Sequence, residues 1–163
     1  MTGADELVAG NRAYAEAFHH AGLAAAPRRR VAIVACMDAR LDVYGALGLS
    51  TGEAHVIRNA GGVVTEDVIR SLAISQWVLG TAEIVLIHHT DCGMLSFTDD
   101  GFRARLERET GIRPSWAAES FADLDGDLRQ SIARVRASPF IRSKDRIRGF
   151  VYGVETGLLR EVS

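Results

Sequence analysis

The sequence predicts an α/β protein: a three-layer α/β/α sandwich around a mainly parallel sheet, with a hairpin-like C-terminal ending. Two short apolar runs, at 31–35 and 84–88, have the composition of strands that are buried on both faces, as in parallel sheets. Segments with helical periodicity alternate with the strands, which favours helices packed against both faces of the sheet. Two alternating runs close the chain and predict the hairpin.

The composition is that of one globular domain covering residues 1–163. The chain is 47 % hydrophobic and 25 % charged, which argues against disorder. Its net charge of -2 gives no support for binding nucleic acid through a general positive field. No apolar run reaches membrane-spanning length, and no basic start with an apolar core indicates a signal peptide. We therefore expect no nucleic-acid partner, no membrane partner and a cytoplasmic location.

The N-terminal segment predicts a helix from Asp5 to about His20, within a helical arm formed by residues 1–25. Its apolar positions Leu7, Tyr14 and Phe18 form only a thin stripe along one face. Such a stripe needs a surface to lie against. Either a neighbouring subunit or the chain's own domain could supply it.

The first strand is predicted at about 30–36, after a break at Pro27. A short helix follows at 42–47, where Asp42 is a suitable N-cap. A second strand is predicted at 54–58.

A glycine-containing loop at 59–62 leads into a helix at about 65–79. The predicted apolar face of this helix is formed by Val68, Leu72, Ile74, Trp77 and Val78. The loop could hold an anion at the helix N-terminus or form a wall of the cleft at the site, or it could be a tight turn that suits glycine. It does not match G-x-G-x-x-G, and no Walker-type lysine follows, so nucleotide binding is not expected.

The third strand is predicted at 83–89, and helices are predicted near 101–109 and 123–137. The second of these helices turns an apolar face inward, at Leu124, Leu128, Ile132 and Val135. The last segment, 146–162, contains the two runs of the hairpin, joined near 155–157.

The candidate site combines the only two cysteines of the chain with a histidine. Cys36 follows the first strand, while His89 and Cys92 follow the third with H-x-x-C spacing. The carboxyl ends of parallel strands share one edge of a sheet, so the three side chains should meet there. Two thiols and an imidazole are the ligand types of a catalytic zinc site that keeps its fourth position open. A disulfide is the alternative, but reduced thiols are expected in the cytoplasm. Because strand residues alternate between faces, His88 should pack elsewhere.

These residues carry a family resemblance. The pattern C-x-D-x-R, here at 36–40, followed by H-x-x-C-G, here at 89–93, resembles that of the β-class carbonic anhydrases. The resemblance extends through Arg58-Asn-Ala-Gly61 to the closing segment at 147–157. Pro27 stands where the plant-like branch has glutamine, so the chain looks more like the short, archaeal-type branch.

The resemblance implies a carbonate dehydratase with one zinc per chain, which hydrates carbon dioxide reversibly to bicarbonate and a proton. Zinc generates the attacking hydroxide by acidifying its bound water. Asp38 would orient that hydroxide, and Arg40 would grip the carboxylate of Asp38. Gly61 and Gly93 are the candidate substrate-binding residues. The family further implies self-association as a dimer or a tetramer.

Three further expectations stay open at this point. Relatives with the same two motifs hydrolyse carbon disulfide or carbonyl sulfide. The predicted metal ligands do not distinguish these substrates from carbon dioxide. A zinc-stabilised regulatory module without turnover is the other alternative, although it would need neither Asp38 nor Arg40. Some family members place this aspartate on zinc, and those regulated by bicarbonate in this way carry tryptophan where this chain has Ile33, so we expect Asp38 to stay off the metal.

Overall fold

The computed structural model describes residues 2–163 and is built around a five-stranded sheet. The strands are β1 Val31–Cys36, β2 Ala54–Asn59, β3 Glu83–His89, β4 Ile147–Tyr152 and β5 Leu159–Val162. Their order is β2-β1-β3-β4-β5. The first four are parallel, and β5 is antiparallel to β4. The mainly parallel sheet and the hairpin-like ending are thus confirmed.

Within residues 2–163, one α-helix precedes the first strand, and four further α-helices and two short 3-10 turns connect the strands. The helices are α1 Gly3–Glu16, α2 Val43–Leu47, α3 Glu66–Trp77, α4 Asp99–Thr110 and α5 Leu124–Ala137, and the 3-10 turns are Ala60–Gly62 and Gly93–Leu95. Several helices have an N-cap side chain, which accepts a hydrogen bond from a backbone N–H group that the helix itself leaves unpaired. Asp42 caps α2 as predicted, and Thr65 caps α3.

The core lies on both faces of the sheet because successive strand residues point to opposite sides. Ala32 and Val34 of β1 face a cluster that includes Leu72 of α3 and Leu128 of α5. Ile33 and Ala35 point to the other face, where they belong to a cluster that includes Val43 of α2, Met94 of the second 3-10 turn and Phe121. Each large aliphatic side chain that is fully buried in this way contributes about 1.5–3 kcal/mol.

The apolar face of α3 differs from the prediction. Val68 and Leu72 are buried, but Ile74, Trp77 and Val78 are exposed, because the helical period places them on the side away from the sheet. Two polar residues, Ser75 and Gln76, are buried instead. They satisfy their polar atoms: Ser75 Oγ bonds His55 Nδ1 at 2.8 Å, and Gln76 Oε1 accepts from the Arg142 N–H at 2.8 Å.

The first helix ends at Glu16, earlier than predicted, where the Ala17 N–H bonds the Tyr14 carbonyl at 3.2 Å. No side chain of α1 is buried in the described part of the chain. The predicted stripe of Leu7, Tyr14 and Phe18 therefore lies exposed. Among residues 2–163, no helix is both long and apolar enough to cross a membrane.

Candidate metal centre

The predicted metal ligands meet at the carboxyl edge of the sheet. Strands β1 and β3 are parallel neighbours, so Cys36 and His89 end adjacent strands. Cys92 follows in the loop after β3. One ligand atom from each of the three residues lies within 4.8 Å of the others, and all three side chains are buried. Both cysteines are free thiols, so the disulfide alternative is not realised.

The imidazole of His89 is oriented as a metal ligand would be. His89 Nδ1 lies 2.8 Å from the Thr90 carbonyl oxygen, so the N–H is on Nδ1 and Nε2 keeps its lone pair. Nε2 is buried and has no hydrogen-bond partner among the described residues. A buried polar atom without a partner is unfavourable. A cation between Nε2 and the two sulfurs would satisfy it, so these residues fit a Cys2His zinc site.

The two thiols differ in acidity. The pKa of Cys36 is lowered, mainly by the hydrogen bond from the Cys92 thiol, with smaller contributions from the backbone N–H groups of Asp38 and Gly61. The pKa of Cys92 is raised, because its thiol donates to Cys36 and because it is buried. A cation bound between the two sulfurs would favour the thiolate form of both residues.

Next to the ligands, Asp38 and Arg40 form a two-pronged ion pair. Arg40 Nε donates to Asp38 Oδ1 at 3.0 Å and Nη2 donates to Oδ2 at 2.8 Å, while the Arg40 backbone N–H also bonds Oδ1 at 2.9 Å. These bonds hold the pKa of Asp38 well below its usual range. Asp38 Oδ2 lies 3.7 Å from His89 Nε2. An ionised carboxylate thus borders the ligand cluster but is directed toward Arg40.

Two residues of this site were not predicted from the sequence. Arg58, at the end of β2, donates to the Cys36 carbonyl at 2.9 Å and to the Asp38 carbonyl at 2.7 Å, which fixes the backbone between them. Asp91 accepts a bond from Arg40 Nη1 at 2.7 Å. The sequence signal for Arg58 was its place at the carboxyl end of the predicted strand 54–58, the same edge of the sheet that Cys36 reaches.

The two predicted substrate-binding glycines lie in different surroundings. Gly61 is buried with φ +82°, and an added Cβ would lie 2.9 Å from Met94 Cγ. Gly93 opens the 3-10 turn after Cys92 and is exposed, and a Cβ there would meet nothing within 4 Å. Close packing thus requires glycine at 61 but not at 93. Substrate contact by either residue stays a prediction.

A cavity of about 750 Å³ opens beside the ligands. Met37, which separates Cys36 from Asp38, lines it together with Met94, Phe97 and Trp116. Arg105, Asn59 and Thr65 line it as well. The larger, apolar part of the wall, formed by thioether and aromatic groups, suits an uncharged, weakly polar molecule.

His88 points away from the ligand cluster, as predicted. It is fully buried, stacks on Phe121 with ring centroids 5.4 Å apart, and places Nε2 at 2.7 Å from Asp127 Oδ2. It therefore links β3 to α5.

Comparisons with known proteins agree with the site. The family model for carbonic anhydrase matches residues 31–122. The chain is 58 % identical over 163 residues to a protein named β-carbonic anhydrase 1 from Mycobacterium tuberculosis, covering 100 % of this chain and 99 % of that protein. A crystal structure of a carbonic anhydrase from Streptococcus mutans matches with a TM-score of 0.94 and 46 % identity, covering 100 % of this chain and 99 % of that chain. A carbon disulfide hydrolase from Acidithiobacillus thiooxidans is 37 % identical over 153 residues, covering 81 % of this chain and 76 % of that protein.

Proposed function

The chain belongs to the carbonic anhydrase family, and on that premise we propose how its residues carry out the reversible hydration of carbon dioxide. The observation that carries the proposal is the juxtaposition of two groups. An unpaired, buried His89 Nε2 faces two thiols, and the ionised carboxylate of Asp38 lies 3.7 Å from that nitrogen.

Cys36, His89 and Cys92 would hold one zinc ion. The chemistry that zinc supplies when bound is Lewis acidity, which lowers the pKa of a coordinated water toward neutrality. Two thiolate ligands neutralise most of the metal's charge, so this lowering should be smaller than at a site of three neutral histidines. We therefore expect the rate of hydration to rise toward alkaline pH.

Asp38 is the proposed orienting group. Its carboxylate is acceptor-only when ionised, and it can take a hydrogen bond from the O–H of the attacking water. That bond leaves a lone pair of the water oxygen free to attack the carbon of the substrate. Arg40 holds the carboxylate through bonds of 3.0 Å and 2.8 Å, which keeps Asp38 ionised and in one orientation.

The apolar cavity beside the ligands is the proposed route for substrate. Carbon dioxide is uncharged and gains by leaving water for apolar walls, whereas bicarbonate is an anion that returns to solvent more readily. Met37 and Met94 line this cavity and are next in sequence to the ligand segments; Met94 is buried, whereas Met37 is exposed. Gly61, packed under Met94, would keep this wall close to the ligands.

A direct comparison of substrates tests the function. Zinc-loaded protein should hydrate carbon dioxide in stopped flow far faster than it releases sulfide from carbon disulfide or carbonyl sulfide. Faster sulfide release would instead assign the chain the activity named for its 37 % identical relative. If the protein converted none of these substrates faster than the uncatalysed reaction, the result would favour the non-catalytic zinc module.

The exposed stripe of α1 supports self-association. Leu7 and Tyr14 of α1, and Phe18 just after it, are exposed on one chain, and a second copy of the chain could bury them. We expect a homodimer or a dimer of dimers. Removing residues 2–20 should expose further apolar surface and lower solubility, and a fully active monomer in analytical ultracentrifugation would contradict this assembly.

The two buried free thiols fit a reducing compartment, which is the support for a cytoplasmic location. Cell fractionation with an antibody against the chain tests it. Recovery in an oxidising compartment would contradict it.

A further inference from the structure

Arg40 makes more hydrogen bonds than the pair with Asp38 requires. A guanidinium carries five N–H donors in a fixed plane. Asp38 takes one donor from Nε and one from Nη2. Asp91 takes two more: its carboxylate accepts from Nη1 at 2.7 Å, and its backbone carbonyl accepts from Nη2 at 2.9 Å. The opposite edge of the guanidinium is therefore held by a single residue.

The bonds to Asp91 join two parts of the chain that are distant in sequence. Arg40 lies two residues from Asp38, so those two side chains could move together if nothing else anchored them. Asp91 is 51 residues away, in the loop between His89 and Cys92. It thus ties the guanidinium to the segment that carries two of the three metal ligands.

The backbone at Asp91 is shaped for this contact. Its φ of +54° lies in the left-handed region, which aspartate and asparagine tolerate better than most residues. This conformation brings both the side chain and the carbonyl of Asp91 to one guanidinium. An aspartate that merely balanced surface charge would not need a strained backbone to present two acceptors to one partner.

We propose that Asp91 is a positioning residue for carbon dioxide hydration: it fixes the guanidinium of Arg40 so that the Nε and Nη2 edge faces Asp38, and Asp38 in turn orients the attacking water. The inference rests on the roles proposed above for Asp38 and Arg40. Asp91 acts through Arg40 and touches neither substrate nor metal.

Two substitutions of Asp91 change its side-chain acceptor and leave its backbone carbonyl in place. Asp91→Asn keeps an acceptor oxygen and tolerates the left-handed backbone, whereas Asp91→Gly keeps only the backbone and its carbonyl. The matched control is Asp67→Asn, because Asp67 is similarly exposed (71 % against 78 %) and pairs with Arg70 at 2.8 Å in α3. All variants are compared as zinc-loaded full-length protein.

The primary readout is the side chain of Arg40 by ¹⁵N NMR, assigned by loss of its signals in Arg40→Gln. Rotation about the Cζ–Nη1 bond should be slow in the wild type, faster in Asp91→Asn and fastest in Asp91→Gly. In parallel, kcat/KM should fall about twofold to fivefold in Asp91→Gly, as for an exposed ion pair, and less in Asp91→Asn. Zinc content should stay the same. In the Arg40→Gln background, Asp91→Gly should lower kcat/KM no further.

Several results would overturn the proposal. Unchanged Arg40 rotation in Asp91→Gly is one, and a loss of activity that follows a loss of zinc is another. An equal loss of activity in the Arg40→Gln background, or in Asp67→Asn, would equally contradict it. A wild type that fails to hydrate carbon dioxide would instead overturn the proposed function, while the Arg40 signals would still decide whether Asp91 holds the guanidinium.

Discussion

A methyl group added at Gly62 should displace the backbone that carries the metal ligands. It is buried with φ +68°, and the loop containing it crosses the carboxyl ends of β1 and β3. An added Cβ would lie 2.8 Å from Cys36 N, 2.9 Å from Ile87 O and 3.0 Å from the Ala35 carbonyl carbon. All three are backbone atoms of the strands that carry ligands, so no side chain can move aside to make room.

Two effects add in Gly62→Ala. A left-handed conformation costs an L-residue about 1–2 kcal/mol, and forcing extra volume into packed backbone costs about 1–3 kcal/mol. The substitution should therefore lower the free energy of unfolding by about 2–5 kcal/mol. For a domain of this size the midpoint of thermal unfolding should drop by roughly 4–20 °C. Because the displaced atoms include the backbone of Cys36, zinc should bind less tightly as well.

Gly80→Ala is the matched control. Gly80 also has a left-handed backbone, with φ +73°, but a Cβ there would meet nothing within 4 Å. It should lose only about 1–2 kcal/mol and keep its zinc. Thermal unfolding and metal analysis of both variants decide the matter. Equal losses of stability, with zinc retained in both, would refute the steric reasoning.

Three further predictions concern the ligands and the surroundings of the site. Cys92→Ser should lose most of its zinc in metal analysis, and unchanged zinc content and stability would show the ligand assignment to be wrong. Glu53, whose pKa is lowered to about 2 by the Ser50 backbone N–H and by Arg29 and Arg28, should stabilise the fold above its unfolded pKa of about 4.3 and lose that contribution as pH falls toward 2. Urea unfolding of Glu53→Gln should therefore approach the wild type in acid, and a constant difference from pH 7 to pH 3 would contradict this. In a zinc-loaded crystal at neutral or alkaline pH, no Asp38 oxygen should lie at the bonding distance of about 2.0–2.2 Å from zinc, because Arg40 holds that carboxylate; such a bond would contradict the open site.

The strand ends were predictable because composition and chemistry agreed there. The apolar run of β3 ends at His89 in the structure, as predicted, since a strand buried on both faces leaves little ambiguity about where polar ligands can begin. The outer residues of α3 were not predictable in the same way. Ile74 and Trp77 are apolar but face outward, while Ser75 is buried because His55 and Thr81 satisfy its hydroxyl.

The role proposed for Asp91 could not have been read from the sequence. It depends on a left-handed backbone at a residue other than glycine and on contacts with Arg40 across 51 positions. Neither feature leaves a periodic or compositional signal. By contrast, the pairing of Asp38 with Arg40 was predictable, because their separation of two residues brings a carboxylate and a guanidinium into reach of each other.

Stopped-flow hydration of carbon dioxide by the zinc-loaded Asp38→Ala variant tests the proposed mechanism most directly. The variant should keep its zinc, because Asp38 is not a ligand, but kcat/KM should fall by about tenfold to a hundredfold, as expected when a charge-assisted hydrogen bond of about 1.5–3 kcal/mol is lost from the transition state. Wild-type kcat/KM in a fully zinc-loaded Asp38→Ala protein would contradict the claim that this carboxylate orients the attacking water.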